Sequence, residues 1–226
     1  MLPPTLAERL AAVDTRISDA VRTAGRDPGT VTRIAVTKGH PASVIRELAG
    51  LGVGDVAESR HQDAEPKVRA LSGLGLRWHF VGQLQTNKAR AVARYATVIH
   101  SVDRAALVVA LTGDRAVPIE CFLQVDLTGS PGRGGVQPGE LTALAEVVLT
   151  SPGLRLRGVM GVAPLGADPR PAFARIRSLS EQLRTLAPEA DAISAGMSGD
   201  FEAAIAEGAT HLRIGTAITG KRPAAP

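Results

Sequence analysis

The feature that most restricts this chain is an alternation. Short, nearly unbroken apolar runs recur along it, and each is followed by a stretch with helical spacing. Eight runs read as strands: 33–37, 55–58, 78–82, 97–102, 119–127, 156–162, 192–195 and 212–214. Helical patterns fall between them at 42–51, 60–71, 88–94, 104–113, 139–149, 170–186 and 201–207. Continuous apolar strands belong to a parallel sheet covered on both faces. Strict strand–helix alternation makes the architecture α/β. Eight units in 226 residues fit one closed (β/α)8 barrel, a TIM-type fold that typically takes about 250 residues. An open doubly wound sheet is the alternative. No G-x-G-x-x-G follows the first strand, which weighs against its dinucleotide-binding form. Ahead of that strand, Leu6, Leu10, Val13, Ile17 and Val21 repeat at helical spacing and predict an extra N-terminal helix over 5–24. No compositional break marks a boundary, so residues 1–226 are expected to form a single domain. Within it, 128–138 reads as one long βα loop, and a short tail follows Gly220.

Composition removes several function classes. No stretch approaches the roughly 20 apolar residues of a membrane span. The opening MLPPTLAERL lacks the charged-then-apolar order of a secretory leader. The single cysteine, Cys121, rules out an internal disulfide and any multi-cysteine metal site, and it sits in an apolar run that predicts a buried, inert thiol. The histidines show no metal-ligand spacing. These features predict a cytoplasmic protein with no membrane partner. Net charge is +4, aromatics are 3% of residues, and basic side chains are scattered among acids, which argues against nucleic acid as a partner. Of the 26 basic residues, 22 are Arg and four are Lys: Lys38, Lys67, Lys88 and Lys221. A chain that uses arginine by habit points, where lysine persists, to a need for an amine. A guanidinium does not deprotonate to attack a carbonyl.

In a barrel of this kind the functional residues lie at the C-terminal ends of the strands. The first strand runs into Lys38. Apolar walls around its ammonium would favour the neutral amine, which condenses with an aldehyde. A lysine capped by a carboxylate at the rim is the plainer reading. The seventh strand runs into Gly196-Met197-Ser198-Gly199-Asp200, and the eighth into Gly215-Thr216. Both openings offer small residues, hydroxyls and free N–H groups after strands seven and eight, where barrels commonly bind phosphate. Ordinary helix caps account for either alone. Together with a lysine at strand one, they point to a ligand carrying both a phosphate and an aldehyde. Arg213 lies within the eighth strand. If it faces inward, its charge requires an acceptor, either a ring nitrogen or a carboxylate. His79 in the third strand either reaches the ligand or is a satisfied barrel histidine. Gly132–Gly135 lacks the Lys-Ser/Thr of a phosphate loop.

The motifs resemble the pyridoxal phosphate homeostasis protein family (YggS/PROSC-like), whose barrel is similar to the N-terminal domain of alanine racemase. The match is carried by Ala35-Val36-Thr37-Lys38, Trp78-His79-Phe80-Val81-Gly82 with Gln85-Thr86-Asn87-Lys88, Leu156-Arg157-Gly158-Val159-Met160, and Gly196-Met197-Ser198-Gly199-Asp200 continuing to Arg213-Ile214-Gly215-Thr216-Ala217-Ile218. The last motif is the most specific. The resemblance implies a fold-type III pyridoxal 5′-phosphate (PLP) barrel without the C-terminal β domain. Lys38 would carry the cofactor as a covalent aldimine, a Schiff base. Ser198, Gly215 and Thr216 would hold its phosphate, with Met197 and Gly199 beside them. Arg213 would face the pyridine nitrogen. An arginine there keeps that nitrogen unprotonated, which weakens the ring as an electron sink and favours holding the cofactor over carbanion chemistry. The family's Gly-Glu-Asn after strand two reads Ala57-Glu58-Ser59 here, so Ser59 stands where an asparagine would meet the ring.

The expectation is therefore a PLP-binding protein that buffers and delivers the cofactor within the cell, with little turnover. Apo PLP-dependent enzymes are its expected partners, and the expected state is monomeric. Two alternatives stand beside it. An amino-acid racemase needs a second base, and the only tyrosine, Tyr95, falls in a helical stretch. A Schiff-base sugar-phosphate aldolase needs an acid–base partner, for which Glu58 or Asp126 is available.

Overall fold

In a computed structural model of the chain, residues 3–128 and 134–221 are described. The loop expected at 128–138, with its glycine run, and the tail after Gly220 fall partly outside them. Eight parallel strands form one closed barrel in sequence order: β1 Thr32–Val36, β2 Asp55–Glu58, β3 Arg77–Phe80, β4 Val98–Val102, β5 Ile119–Gln124, β6 Leu154–Met160, β7 Ala192–Ser194 and β8 His211–Ile214. Closure is made by β1 lying beside β8, from Thr32 opposite His211 to Ala35 opposite Ile214. The expected (β/α)8 architecture is therefore observed, and the open sheet is not.

Helices return the chain between strands: α2 Ala42–Gly50, α3 His61–Ala70, α4 Ala89–Val92, α5 Ala105–Leu111, α6 Leu141–Leu149, α7 Arg170–Leu186 and α8 Phe201–Ala206. A single turn, α9 Thr216–Thr219, follows β8. Most boundaries shift by a residue or two from the sequence reading, β6 for example being Leu154–Met160 rather than 156–162, and two of the differences have a visible cause. The fourth helix is only Ala89–Val92, because Thr86–Lys88 form a tighter 3-10 turn before it. The fifth strand stops at Gln124, because the backbone beyond it turns to Val136: Asp126 N–H donates to the Val136 carbonyl at 3.0 Å.

The expected N-terminal helix is α1, Leu6–Thr23. Thr5 caps it, with its hydroxyl accepting from Glu8 N–H while the Glu8 carboxylate accepts from Thr5 N–H. Its buried stripe, Leu6, Leu10, Val13, Ile17 and Val21, lies against α8 and α9. Each such side chain contributes roughly 1.5–3 kcal/mol as an upper bound. Arg9 Nε donates to the Ile218 carbonyl at 2.7 Å, and Arg26 donates to the carbonyls of Ile205 and Ala209. α1 thus provides the cover that the one-turn α9 is too short to give.

Strand residues alternate between two cores. One set faces the helices and joins a large apolar layer that includes Ala35, Val56, Ile99, Cys121, Leu123, Val159, Ile193 and Leu212. The other faces the barrel axis, where only two small apolar groups form: Val98, Phe122, Met160 and Ala192, and Ile34, Val36 and Ala57. Barrel interiors are ordinarily filled by bulky branched side chains. Here His79, His100, Ser194, His211 and Arg213 share that space, all of them buried.

Candidate functional site

The C-terminal ends of the strands open into a cleft of about 420 Å3, within the roughly 300–1,000 Å3 usual for small-molecule sites. It is lined by Val36 and Lys38 from the end of β1, Ser59 beyond β2, Val81 and Gly82 beyond β3, and Met160 and Val162 from β6. Met197, Ser198 and Gly199 beyond β7, with Arg213, Gly215 and Thr216 from β8, complete it. The lysine and both small-residue openings therefore face one space, as a single ligand with two handles requires. Lys38 as a residue is exposed, so the apolar drying expected from its walls is not met. The capping carboxylate is not met either: among the described residues its ammonium has no ion-pair partner.

The two openings are tied to each other. Ser198 Oγ accepts from Ala217 N–H at 3.2 Å, linking the β7 loop to the start of α9. Asp200 Oδ1 accepts from Met197 N–H at 2.6 Å and pins the base of the same loop. Gly196 makes the loop possible. Its φ of +91° is left-handed, and a Cβ there would sit 2.9 Å from Phe201 Cα. Across the cleft, a Cβ on Gly82 would fall 2.1 Å from the Ser59 carbonyl oxygen, so only glycine lets β3's end run this close to Ser59.

Arg213 is 6% exposed and donates to Ser194 Oγ at 2.6 Å and to the Gly161 carbonyl at 3.0 Å. Burial pushes its guanidinium down to about 10, against a smaller opposing pull from Asp200, so it is charged at neutral pH. No carboxylate pairs with it among the described residues. His79 lies beneath the cleft rather than on its wall. Its two ring nitrogens meet Asp55 Oδ1 at 2.8 Å and His100 Nε2 at 2.9 Å. Burial lowers its imidazole from the usual value, although Asp55 pulls the other way.

A cluster that the sequence reading did not assemble lies directly behind Lys38. Lys67 Nζ, from α3, donates to Glu58 Oε1 at 2.6 Å and to the Thr37 carbonyl at 3.1 Å, and Thr37 Oγ1 donates to the same Glu58 oxygen at 2.7 Å. The Glu58 side chain is wholly buried, and its other oxygen has no hydrogen-bond partner. This ion pair fixes both the hydroxyl and the carbonyl of the residue before Lys38. The scarcity of lysine was the one signal for it. Glu58 and Asp126, the acid–base candidates of the aldolase alternative, do not line the cleft. Tyr95 stacks on His61 at 5.9 Å and does not line it either. Cys121 is buried, and burial pushes its thiol up to about 12, in keeping with an inert residue. The described residues contain no cluster of potential metal ligands and no helix long and apolar enough to cross a membrane.

The residues present fit a ligand of the expected kind. The cleft brings together an unpaired primary amine, the apolar side chains Val36, Val81, Met160 and Val162, the hydroxyls of Ser198 and Thr216 with the backbone beside them, and the buried cation of Arg213. The family description "Alanine racemase, N-terminal domain" matches residues 9–223. The chain is 42% identical over 221 residues to the pyridoxal phosphate homeostasis protein of Pseudomonas aeruginosa, covering 96% of each. It is 36% identical to PipY of Synechococcus elongatus in its structure with PLP bound, with a TM-score of 0.82 over 96% of this chain and all of that one. The alanine racemase of Corynebacterium glutamicum shares the fold at 17% identity and a TM-score of 0.71, and 62% of its length is covered.

Proposed function

The chain belongs to the family of pyridoxal phosphate homeostasis proteins, built on the alanine racemase N-terminal domain, and from that premise we propose that it binds pyridoxal 5′-phosphate in the cleft and holds it covalently through Lys38. The observation that carries the reading is that Lys38, without a carboxylate partner, shares one cleft with Ser198, Gly199, Gly215 and Thr216. Ser198, Thr216 and the backbone N–H groups around Gly199 and Gly215 bind the phosphate. Met197 borders it, and Ser59 meets the ring from the far side. Arg213 directs its guanidinium at the ring nitrogen and keeps it from accepting a proton. When bound, the cofactor supplies an aldehyde to amines and an electron sink that this arginine weakens. His79 acts from below, through the residues it bonds.

The lining also favours retention over turnover. Racemisation requires bases on both faces of a planar carbanion. Besides Lys38, the cleft offers hydroxyls, thioethers and a guanidinium, and among the described residues no carboxylate, imidazole or phenol. We therefore assign the protein to buffering and delivery of the cofactor to apo PLP-dependent enzymes, as a monomer in the cytoplasm.

The test is a purified sample loaded with PLP and reduced with borohydride. Intact mass and peptide mapping should fix the added mass on Lys38, and Lys38→Ala should retain none. Fixation at another residue overturns the site. Sustained racemase or lyase turnover overturns the carrier role, and preferential trapping of a sugar phosphate overturns the cofactor.

A further inference from the structure

Beneath the cleft, five side chains from five strands join in an unbroken line through the barrel axis. Asp55 Oδ1 meets His79 Nε2 at 2.8 Å, and His79 Nδ1 meets His100 Nε2 at 2.9 Å. His100 Nδ1 meets Ser194 Oγ at 2.8 Å, and Ser194 Oγ accepts from Arg213 at 2.6 Å. The Asp55 side chain is 27% exposed at the N-terminal end of the barrel, whereas His79 is fully enclosed. The line therefore runs from partly wetted carboxylate to buried guanidinium.

With both rings neutral and Asp55 ionised, its polarity has one solution. A guanidinium carries donors only, and an ionised carboxylate only accepts. Arg213 donates to Ser194 Oγ, and with both rings neutral the Ser194 hydroxyl proton goes to His100 Nδ1. His100 must then carry its proton on Nε2 and give it to His79 Nδ1. His79 in turn carries its proton on Nε2 and gives it to Asp55. Every dipole turns its negative end toward Arg213 and its positive end toward Asp55, so each bond polarises the next in the same sense. Neither ring has a nitrogen left for a second proton. Burial as the leading cause holds His100 well below the ordinary imidazole value, and the same burial lowers His79. The Asp55 carboxyl, which burial alone would raise, is lowered on balance by His79 and Arg77.

We propose that Asp55, His79, His100 and Ser194 are positioning residues that act as one directional line, compensating the buried charge of Arg213 and fixing where its guanidinium points in the cleft. Arg213 has no carboxylate of its own among the described residues, and this line delivers the influence of one from the opposite end of the barrel. The functional half rests on the reading that Arg213 faces the ring of bound PLP; the line itself does not. The expected consequence is that cofactor retention responds to Asp55, a residue that does not line the cleft.

Two measurements separate the parts. In ligand-free protein labelled with 15N-histidine, long-range proton–nitrogen correlations report which ring nitrogen carries the proton. His79 and His100 should both be neutral and protonated on Nε2, and Asp55→Asn should shift the nitrogens of His100 as well as those of His79. A proton on Nδ1 of either ring, a charged ring at neutral pH, or a response confined to His79 overturns the line. In loaded protein, Asp55→Asn and Ser194→Ala should both move the absorption band and release PLP about 2- to 30-fold faster, the range typical of coupling through such networks. Glu120→Gln, beside Arg77 at the same end of the barrel but outside the line, should do neither. Equal effects from all three variants overturn the positioning role. Ser194→Ala keeps the test open if Asp55→Asn does not fold. An Arg213→Leu variant with unchanged absorption, alongside the expected histidine protons, would refute the placement of the ring and leave the line standing.

Discussion

Replacing Lys67 by Met should destabilise the protein more than any other single lysine change. Met keeps most of the stem's apolar volume and removes only the ammonium. That ammonium lies 2.6 Å from Glu58 Oε1 and 3.1 Å from the Thr37 carbonyl, with side-chain exposures of 11% for Lys67 and 0% for Glu58. Without it, Glu58 remains as a buried carboxylate held by one hydroxyl, that of Thr37, with its second oxygen still unpartnered. Removing one member of a buried pair typically costs about 3–5 kcal/mol, because the other charge is left uncompensated. For a chain of this size each kcal/mol lowers the melting temperature by roughly 2–4 °C, so the drop should be about 6–20 °C. Urea denaturation followed by circular dichroism at pH 7 gives the free energy directly. Neutralising the partner as well, in Glu58→Gln/Lys67→Met, should recover a large part of the loss, since an amide is far less costly to bury than a charge. Borohydride fixation at Lys38 should also fall in the single variant, because the carbonyl of the preceding residue, Thr37, loses its anchor. A loss under about 1 kcal/mol for Lys67→Met would refute the reasoning, since the gap to the buried-pair range is too wide for packing differences to fill.

Two further outcomes follow from the same geometry. Gly196→Ala forces a left-handed backbone onto a residue with a Cβ, which typically costs about 1–3 kcal/mol. Its Cβ would also press on Phe201 and Ala204, so melting temperature and PLP retention on dialysis should fall together, and a variant equal to the parent in both contradicts the loop geometry. Acid should weaken the fold through its buried imidazoles. Burial above all holds His100 far below its usual value and brings His211 down to about 3. Histidine in the unfolded chain titrates near 6.5, so below that pH the unfolded state binds the extra protons and stability falls as pH falls. The two rings together should remove up to about 2.5 kcal/mol per pH unit near pH 5, which denaturant titrations at pH 7 and pH 5 resolve; equal stabilities would contradict it.

The barrel was legible because its strands are covered on both faces and therefore read as apolar runs rather than as alternation. Lys38 was legible because strand ends are where such barrels place chemistry, and Ser198, Gly215 and Thr216 because two small-residue openings followed the last two strands. What the sequence concealed depends on parity and closure. Asp55, His79, His100 and Ser194 lie on β2, β3, β4 and β7, and nothing in their spacing shows that all four face the axis. That follows only once the register is set by pairs such as Ala57 with His79 and Ser194 with His211. The Glu58–Lys67 pair was hidden for a related reason: it joins a strand end to the second turn of the next helix, nine positions on, a separation that no helical or strand period marks. The expected drying of Lys38 failed because the chain leaves the barrel there: Lys38 and Gly39 are both exposed.

The helix ahead of β1 has a bearing on how the molecule is made as well as on how it stands. Arg9 reaches the carbonyl of Ile218 across 209 positions of chain, and α1 packs mainly against α8 and α9, the last helices made. The join between β8 and β1 closes a loop of nearly the whole polypeptide, a long-range contact of the kind that slows folding. Until then two bare strand edges stand ready to pair with a neighbouring chain. Shielding at that moment, more than added strength in the finished ring, is what would raise the yield of native protein.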